Sequence, residues 1–150
     1  MKLRTLLLSG IAMAAAPVLA HHSYAAFDMK KFITIEGVVV SYQLINPHVH
    51  MTVKVPPGAK DPSQVGVWDV EGAAANIMRR QGWNAKTYKA GDPIILVGNP
   101  LKTGDKGIAL SYALQPDGKL ANMHNTPLKD ALCKAEYSLE NIHTVYVRSA

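Results

Sequence analysis

Apolar and polar side chains alternate strictly from His48 to Val55. Val49, Met51, Val53 and Val55 point one way; His48, His50, Thr52 and Lys54 point the other. A period of two is that of a strand with one buried and one wet face. Residues Phe32 to Tyr42 (FITIEGVVVSY) are rich in β-branched side chains and predict a longer strand before it. Gly37 in its middle predicts a bulge or bend. Asn46-Pro47 separates the two strands, and Pro56 to Pro62 is loop by composition. Val65–Glu71, Ile94–Gly98 and Ile108–Leu114 supply a third, fourth and fifth strand. Between the third and fourth, Gly72 to Gln81 turns helical in composition, and Gly82 is a suitable stop. The segment Thr103 to Gly107 predicts a hairpin-type turn.

The order is three strands, a short helix, then two strands, with a long glycine-bearing first strand. It predicts a mainly β fold, a five-stranded OB-like barrel with one short helix between strands 3 and 4. An open sheet capped by a helix is the alternative. Past Lys119 the pattern changes again. Thr126 suits an N-cap, Pro127 suits the first helical position, and Leu128, Leu132, Ala135 and Leu139 share one helical face. Ile142 to Arg148 has the composition of an edge strand. The expected organisation is a leader over 1–20, a barrel domain over 21–118 and a C-terminal helix/strand extension over 119–150.

The leader follows from Lys2 and Arg4, the apolar run from Leu6 to Leu19, and Val18 and Ala20 at the positions signal peptidase reads. The run is too short and Ala-rich for a membrane span. This predicts a periplasmic or secreted protein, not embedded in the membrane, whose mature chain starts at His21. Two basic residues leave with the leader, so the formal charge of +5 falls to +3. That modest charge, with no Lys/Arg run, argues against nucleic acid as a partner. A hydrophobic share of 48% against 18% charged excludes a disordered chain. The one cysteine, Cys133, excludes an internal disulfide or a CxxC site and reads as inert packing in the C-terminal helix.

Several strings together have a family look: His21-His22-Ser23-Tyr24-Ala25-Ala26-Phe27-Asp28, Glu36-Gly37-Val38-Val39, Asn46-Pro47-His48-Val49, Trp68 with Glu71-Gly72, Arg79-Arg80 with Gly82-Trp83, and Gly91-Asp92. The chain resembles the DUF6152 family of small exported bacterial proteins of unknown function, from about Ala20 to Pro116. The position after Asn-Pro-His-Val is often aromatic in such sequences and is His50 here. The resemblance implies a periplasmic OB-like domain and no activity, so function has to be argued from side chains.

Histidines are the strongest of these. A mature N-terminal His21 offers its α-amine and its imidazole to one metal ion. The amine's ordinary pKa of about 7.7–8.0 lets a metal displace its proton near neutrality. His48 and His50 leave the same strand face about 6–7 Å apart, close enough to converge on one ion. Such a set resembles the histidine-brace copper sites of secreted proteins. Nitrogen ligands in a tetragonal array favour Cu(II). His21 and His48 are the expected ligands, with His22 or His50 auxiliary, and Asp28, Asp69 and Glu71 are expected to support a ligand imidazole. The bland alternative is a solvated terminus and two polar residues on a wet sheet face. His124 and His143 read as surface residues.

A second reading is a metal-free module. Its face would hold Trp68, Trp83 and Glu71, with Tyr42 and Tyr88, and would take a small molecule, an oligosaccharide or a periplasmic partner protein. The competing expectation is that these aromatics pack the barrel and that Trp83 plugs one end. Arg79 and Arg80 suit the negative end of the helix dipole, and Glu71 is expected near the positive end. No nucleophile or phosphate-loop motif is present, so an enzyme is the less favoured class, and a copper-dependent oxidase the least favoured reading.

Overall fold

A computed structural model describes residues 23–114 and 120–122. His21, His22, Cys133, His124, His143, the expected leader over 1–20 and most of the expected helix/strand extension over 119–150 lie outside the described residues. Within them the strands are β1 (Ile33–Gln43), β2 (His50–Val55), β3 (Gly66–Glu71), β4 (Pro93–Pro100), β5 (Gly107–Leu114) and β6 (Leu120–Asn122). The helix α1 (Ala75–Arg80) lies between β3 and β4, and a 3₁₀ turn covers Ser23–Ala26.

β1 makes the barrel possible because it serves two partners. Its first half pairs with β4, Ile33 to Val38 against Gly98 to Pro93. Its second half pairs with β2, from Val38 opposite Lys54 to Gln43 opposite His50. β2 pairs with β3 and β4 with β5, all antiparallel, and β3 closes the ring on β5 in parallel at Asp69–Glu71 against Gly107–Ala109. This is the closed five-stranded OB-like barrel, with β6 added antiparallel along β5.

The alternation seen in the sequence is the alternation of burial. Val49, Met51, Val53 and Val55 are all buried and line one core with Ile35, Val39, Trp68, Val70, Leu96, Ile108 and Leu110. The strand starts later than expected, at His50 rather than His48. Val49 instead bonds the chain beyond β3, its N–H to Ala73 O at 3.0 Å and its carbonyl to Gly72 N at 2.7 Å. That leaves His48 in the loop just outside the ladder.

The bulge is not at Gly37 either. The register shifts between Val39 and Ser41. Gly37 marks a close approach: a Cβ there would run into Val53 Cγ1 and lie 2.8 Å from Lys54 O. The helix is shorter than its composition suggested, and Glu71 does not cap it. Its N-cap is Ala74, with no side-chain capping bond, because Glu71 is still the last residue of β3. The C-terminal stop is as expected. Gly82 adopts φ +90°, its N–H bonds Arg79 O at 3.0 Å, and Trp83 N–H bonds Met78 O at 3.1 Å. This paired arrangement satisfies the last carbonyls and needs a residue without a Cβ penalty. Arg79 and Arg80 sit in that last turn. Met78 and Trp83 point into the core, so the helix and its stop close one barrel end.

A histidine, a glutamate and a tyrosine beside the N-terminal segment

Glu71 ends β3 opposite His50 of β2. The chain before β2 carries His48 alongside, and its Nδ1 lies 2.8 Å from Glu71 Oε1. A carboxylate only accepts, so the imidazole holds its proton on Nδ1 and donates it. The ring's other nitrogen, Nε2, is then the basic one. This is the arrangement by which a carboxylate fixes the tautomer and aim of a metal-binding imidazole. His48 is half-buried and His50 is exposed. His48 thus sits in the loop before β2 and His50 at its first position, in different surroundings, rather than two apart on one strand as expected.

Tyr24 completes the cluster. Its ring meets the His48 ring edge-on, centroids 6.3 Å apart. Burial, and secondly the Glu71 charge, push its hydroxyl pKa above the ordinary tyrosine value. The segment holding Tyr24 is fastened to the β4–β5 connection. Lys102 Nζ donates to Ala25 O at 2.7 Å, Lys102 N to Ala26 O at 3.0 Å, and Phe27 bridges Leu101. The N-terminal segment therefore lies between the β1–β2 and β4–β5 connections. OB barrels bind their ligands at these two loops and the adjacent β2–β3 face.

The other expected supports lie elsewhere. Asp28 is engaged with Lys31, Nζ to Oδ2 at 3.4 Å, and takes the Lys30 N–H on its other oxygen at 3.2 Å. Asp69 is exposed on the outer face of β3. Glu71 is the carboxylate that bonds His48. Among the described residues, no group of three or more His, Cys, Asp or Glu side chains is placed to hold a metal ion. His48 and Glu71 are in contact, and no third such side chain joins them among the described residues.

Both indoles and Tyr88 are buried, and Tyr42 is half-buried. Trp68 is 6% exposed; its Nε1 donates to Gln64 O at 2.8 Å and Lys106 Nζ sits 5.4 Å above its ring. Trp83 is 1% exposed and packs against Tyr42 and Tyr88, with ring centroids 6.0 and 5.2 Å away. Neither indole offers an open ligand face. Tyr42 donates its hydroxyl to Asn84 O at 3.1 Å. Burial pushes its pKa up to about 12, with the Thr87 hydrogen bond and the Arg79 charge pulling the other way. Folding thus favours the protonated phenol. That stabilisation is fully present below the unfolded value near 10 and is lost as pH rises through about 12. Urea midpoints between pH 9 and 12 should fall less steeply for Tyr42→Phe than for the parent, and equal slopes would show that Tyr42 does not titrate late.

A family model described as "Family of unknown function (DUF6152)" matches residues 8–109, about two thirds of the chain. No curated protein is similar enough to match. Three solved structures are similar at low identity. One is a ZRD-deleted mutant of TiaS in complex with agmatine, 12% identical, covering 64% of this chain and 27% of that one, TM-score 0.44. Another is asparaginyl-tRNA synthetase from Pyrococcus horikoshii complexed with asparaginyl-adenylate, 13% identical, 75% and 25% covered, TM-score 0.36. The third is yeast Stn1 and Ten1, 13% identical, 83% and 61% covered, TM-score 0.37. This chain spans about a quarter of the first two. Among the described residues no helix is long and apolar enough to cross a membrane.

Proposed function

The chain belongs to the DUF6152 family, and for it we propose the role of a small exported binding protein that takes up Cu(II) for delivery or sequestration. Removal of residues 1–20 leaves His21 first. Its α-amine and imidazole form the chelate, His48 Nε2 is the third nitrogen, and His50 or His22 is auxiliary. The observation that carries this reading is the 2.8 Å bond from His48 Nδ1 to Glu71 beside Tyr24. Three residues of chain span at most about 11 Å. His21 is therefore tethered within that span of Tyr24, whose ring meets the ring of His48. Nitrogen donors of this kind place Cu(II) at the top of the divalent series. The competing metal-free reading has less support, because Trp68 and Trp83 are spent on the core.

The test is a titration of the chain beginning at His21 with Cu(II), followed by electron paramagnetic resonance. One ion per chain with a type 2 spectrum is expected. Glu71→Gln keeps the size but weakens the support of the ring, and should cost about 10–100-fold in affinity, as loss of an outer partner does. His48→Ala should cost more. Unchanged binding in His48→Ala removes the reading.

A further inference from the structure

The barrel has a second apolar surface that its own interior does not account for. Along β4, Ile94 and Leu96 point into the core while Ile95 and Val97 point outward. Along β5, Ile108 and Leu110 point inward, and Ala109 and Tyr112 outward. An outward position on a barrel wall is normally wet. Here Ile95 and Tyr112 are 0% exposed, Ala109 1% and Val97 4%. Every extensive contact of β4 and β5 with another described element is a lateral strand pairing. The chain from Phe27 to Lys31 covers only the far end, where Asn99 Nδ2 donates to Lys31 O at 2.7 Å and Asp28 N to Pro100 O at 2.8 Å.

We propose that this outer face of β4 and β5 is the seat of the chain's own C-terminal segment, Thr126 to Leu139, docked by its Leu128, Leu132, Ala135 and Leu139 stripe. Three observations choose that occupant. First, β6 runs along one edge of β5, with Asn122 opposite Tyr112. The same edge is taken by β3 from Ala109 to Gly107. Beyond Asn122, this edge of β5 has only a few free positions before β3 occupies it. Second, the length fits. Fourteen helical residues span about 21 Å, and the eight residues of β4 span about 26 Å. Third, the segment is one-sided, with Lys129, Asp130, Lys134 and Glu136 off the stripe, as a helix laid on a barrel wall must be. The run Leu6 to Leu19 is apolar on all sides and would leave a greasy back exposed. Uncovered, Ile95, Val97 and Tyr112 would form a contiguous apolar patch of the kind that drives association.

Disulfide trapping tests this. Cys133→Ser removes the native thiol, and Leu132→Cys is combined with Val97→Cys on the outer face or with Val67→Cys, which is 55% exposed on β3. Both pairs are made in the full chain and in the chain starting at His21. The expected result is a cross-link yield several-fold higher for the Val97 pair in both chains. Equal yields, or a yield advantage for the Val97 pair confined to one of the two chains, overturn the proposal. A second readout leaves Val97 in place. Leu128→Lys with Leu132→Lys should raise hydrophobic-dye fluorescence several-fold, and an unchanged signal counts against docking.

Discussion

A chain whose His21 α-amine is acetylated should bind Cu(II) at least ~100-fold more weakly than the chain that starts with a free His21, more than loss of an outer partner costs. The acetyl group leaves every side chain in place. It converts the α-amine of His21 into an amide, which no longer offers a basic lone pair. The imidazole then binds as a single donor, without the second nitrogen that its own backbone held beside it. The barrel, the His48–Glu71 bond and the Tyr24 contact are untouched, so circular dichroism and the thermal midpoint without copper should not move. Copper raises the stability of whatever state binds it, by about 2.7 kcal/mol at a hundred times Kd. The acetylated chain should therefore also lose the copper-dependent rise in melting temperature. Equal affinity in the two chains would show that the α-amine is not a ligand and would overturn the chelate.

What the sequence made legible follows a division between local and long-range order. The period of two from Val49 to Val55 reports a local property, the face a side chain takes, and the buried residues are the expected ones. Gly82 is legible for the same reason, since a helix stop is completed within six residues. The constraint on Gly37 is not legible because it comes from Lys54 and Val53 on the neighbouring strand β2. The bulge near Val40 arises where β1 passes from one partner to the other, and nothing in the β1 sequence marks that exchange. β6, at three residues, is too short to show a period.

The candidate site divides in the same way. His48 stood out by its place after Asn46-Pro47. Glu71 was one of three possible supporting carboxylates, and only closure of β2 on β3 selects it. Tyr24 was visible as part of a family-like string, but its contact with His48 depends on how Lys102 and Leu101 hold the N-terminal segment. The unbroken apolar run Ile94-Ile95-Leu96-Val97 is the mark of a strand covered on both faces. An outer wall of a simple barrel would have alternated.

The largest loss of stability should come from Trp83→Ala. Trp83 is the largest fully buried side chain and lies in a ring cluster with Tyr42 and Tyr88 at the barrel end closed by α1. Removing such a side chain leaves a cavity that the rigid stop at Gly82 prevents from collapsing. Buried Trp→Ala changes cost about 3–5 kcal/mol, against a total of about 5–15 kcal/mol for a domain. With a urea slope of about 1–3 kcal/mol/M, the midpoint should fall by at least about 1 M. Trp68 remains as the fluorescent reporter. Trp83→Phe separates volume from polarity. Trp83 Nε1 is buried without a hydrogen-bond partner among the described residues, so the indole carries the desolvation penalty of an unused donor. A phenyl ring gives up part of the packing and all of that penalty. Its midpoint should therefore lie much closer to the parent than to Trp83→Ala. A Phe variant as unstable as the Ala variant would mean that the indole nitrogen is bonded, through water or through a part of the chain outside the described residues.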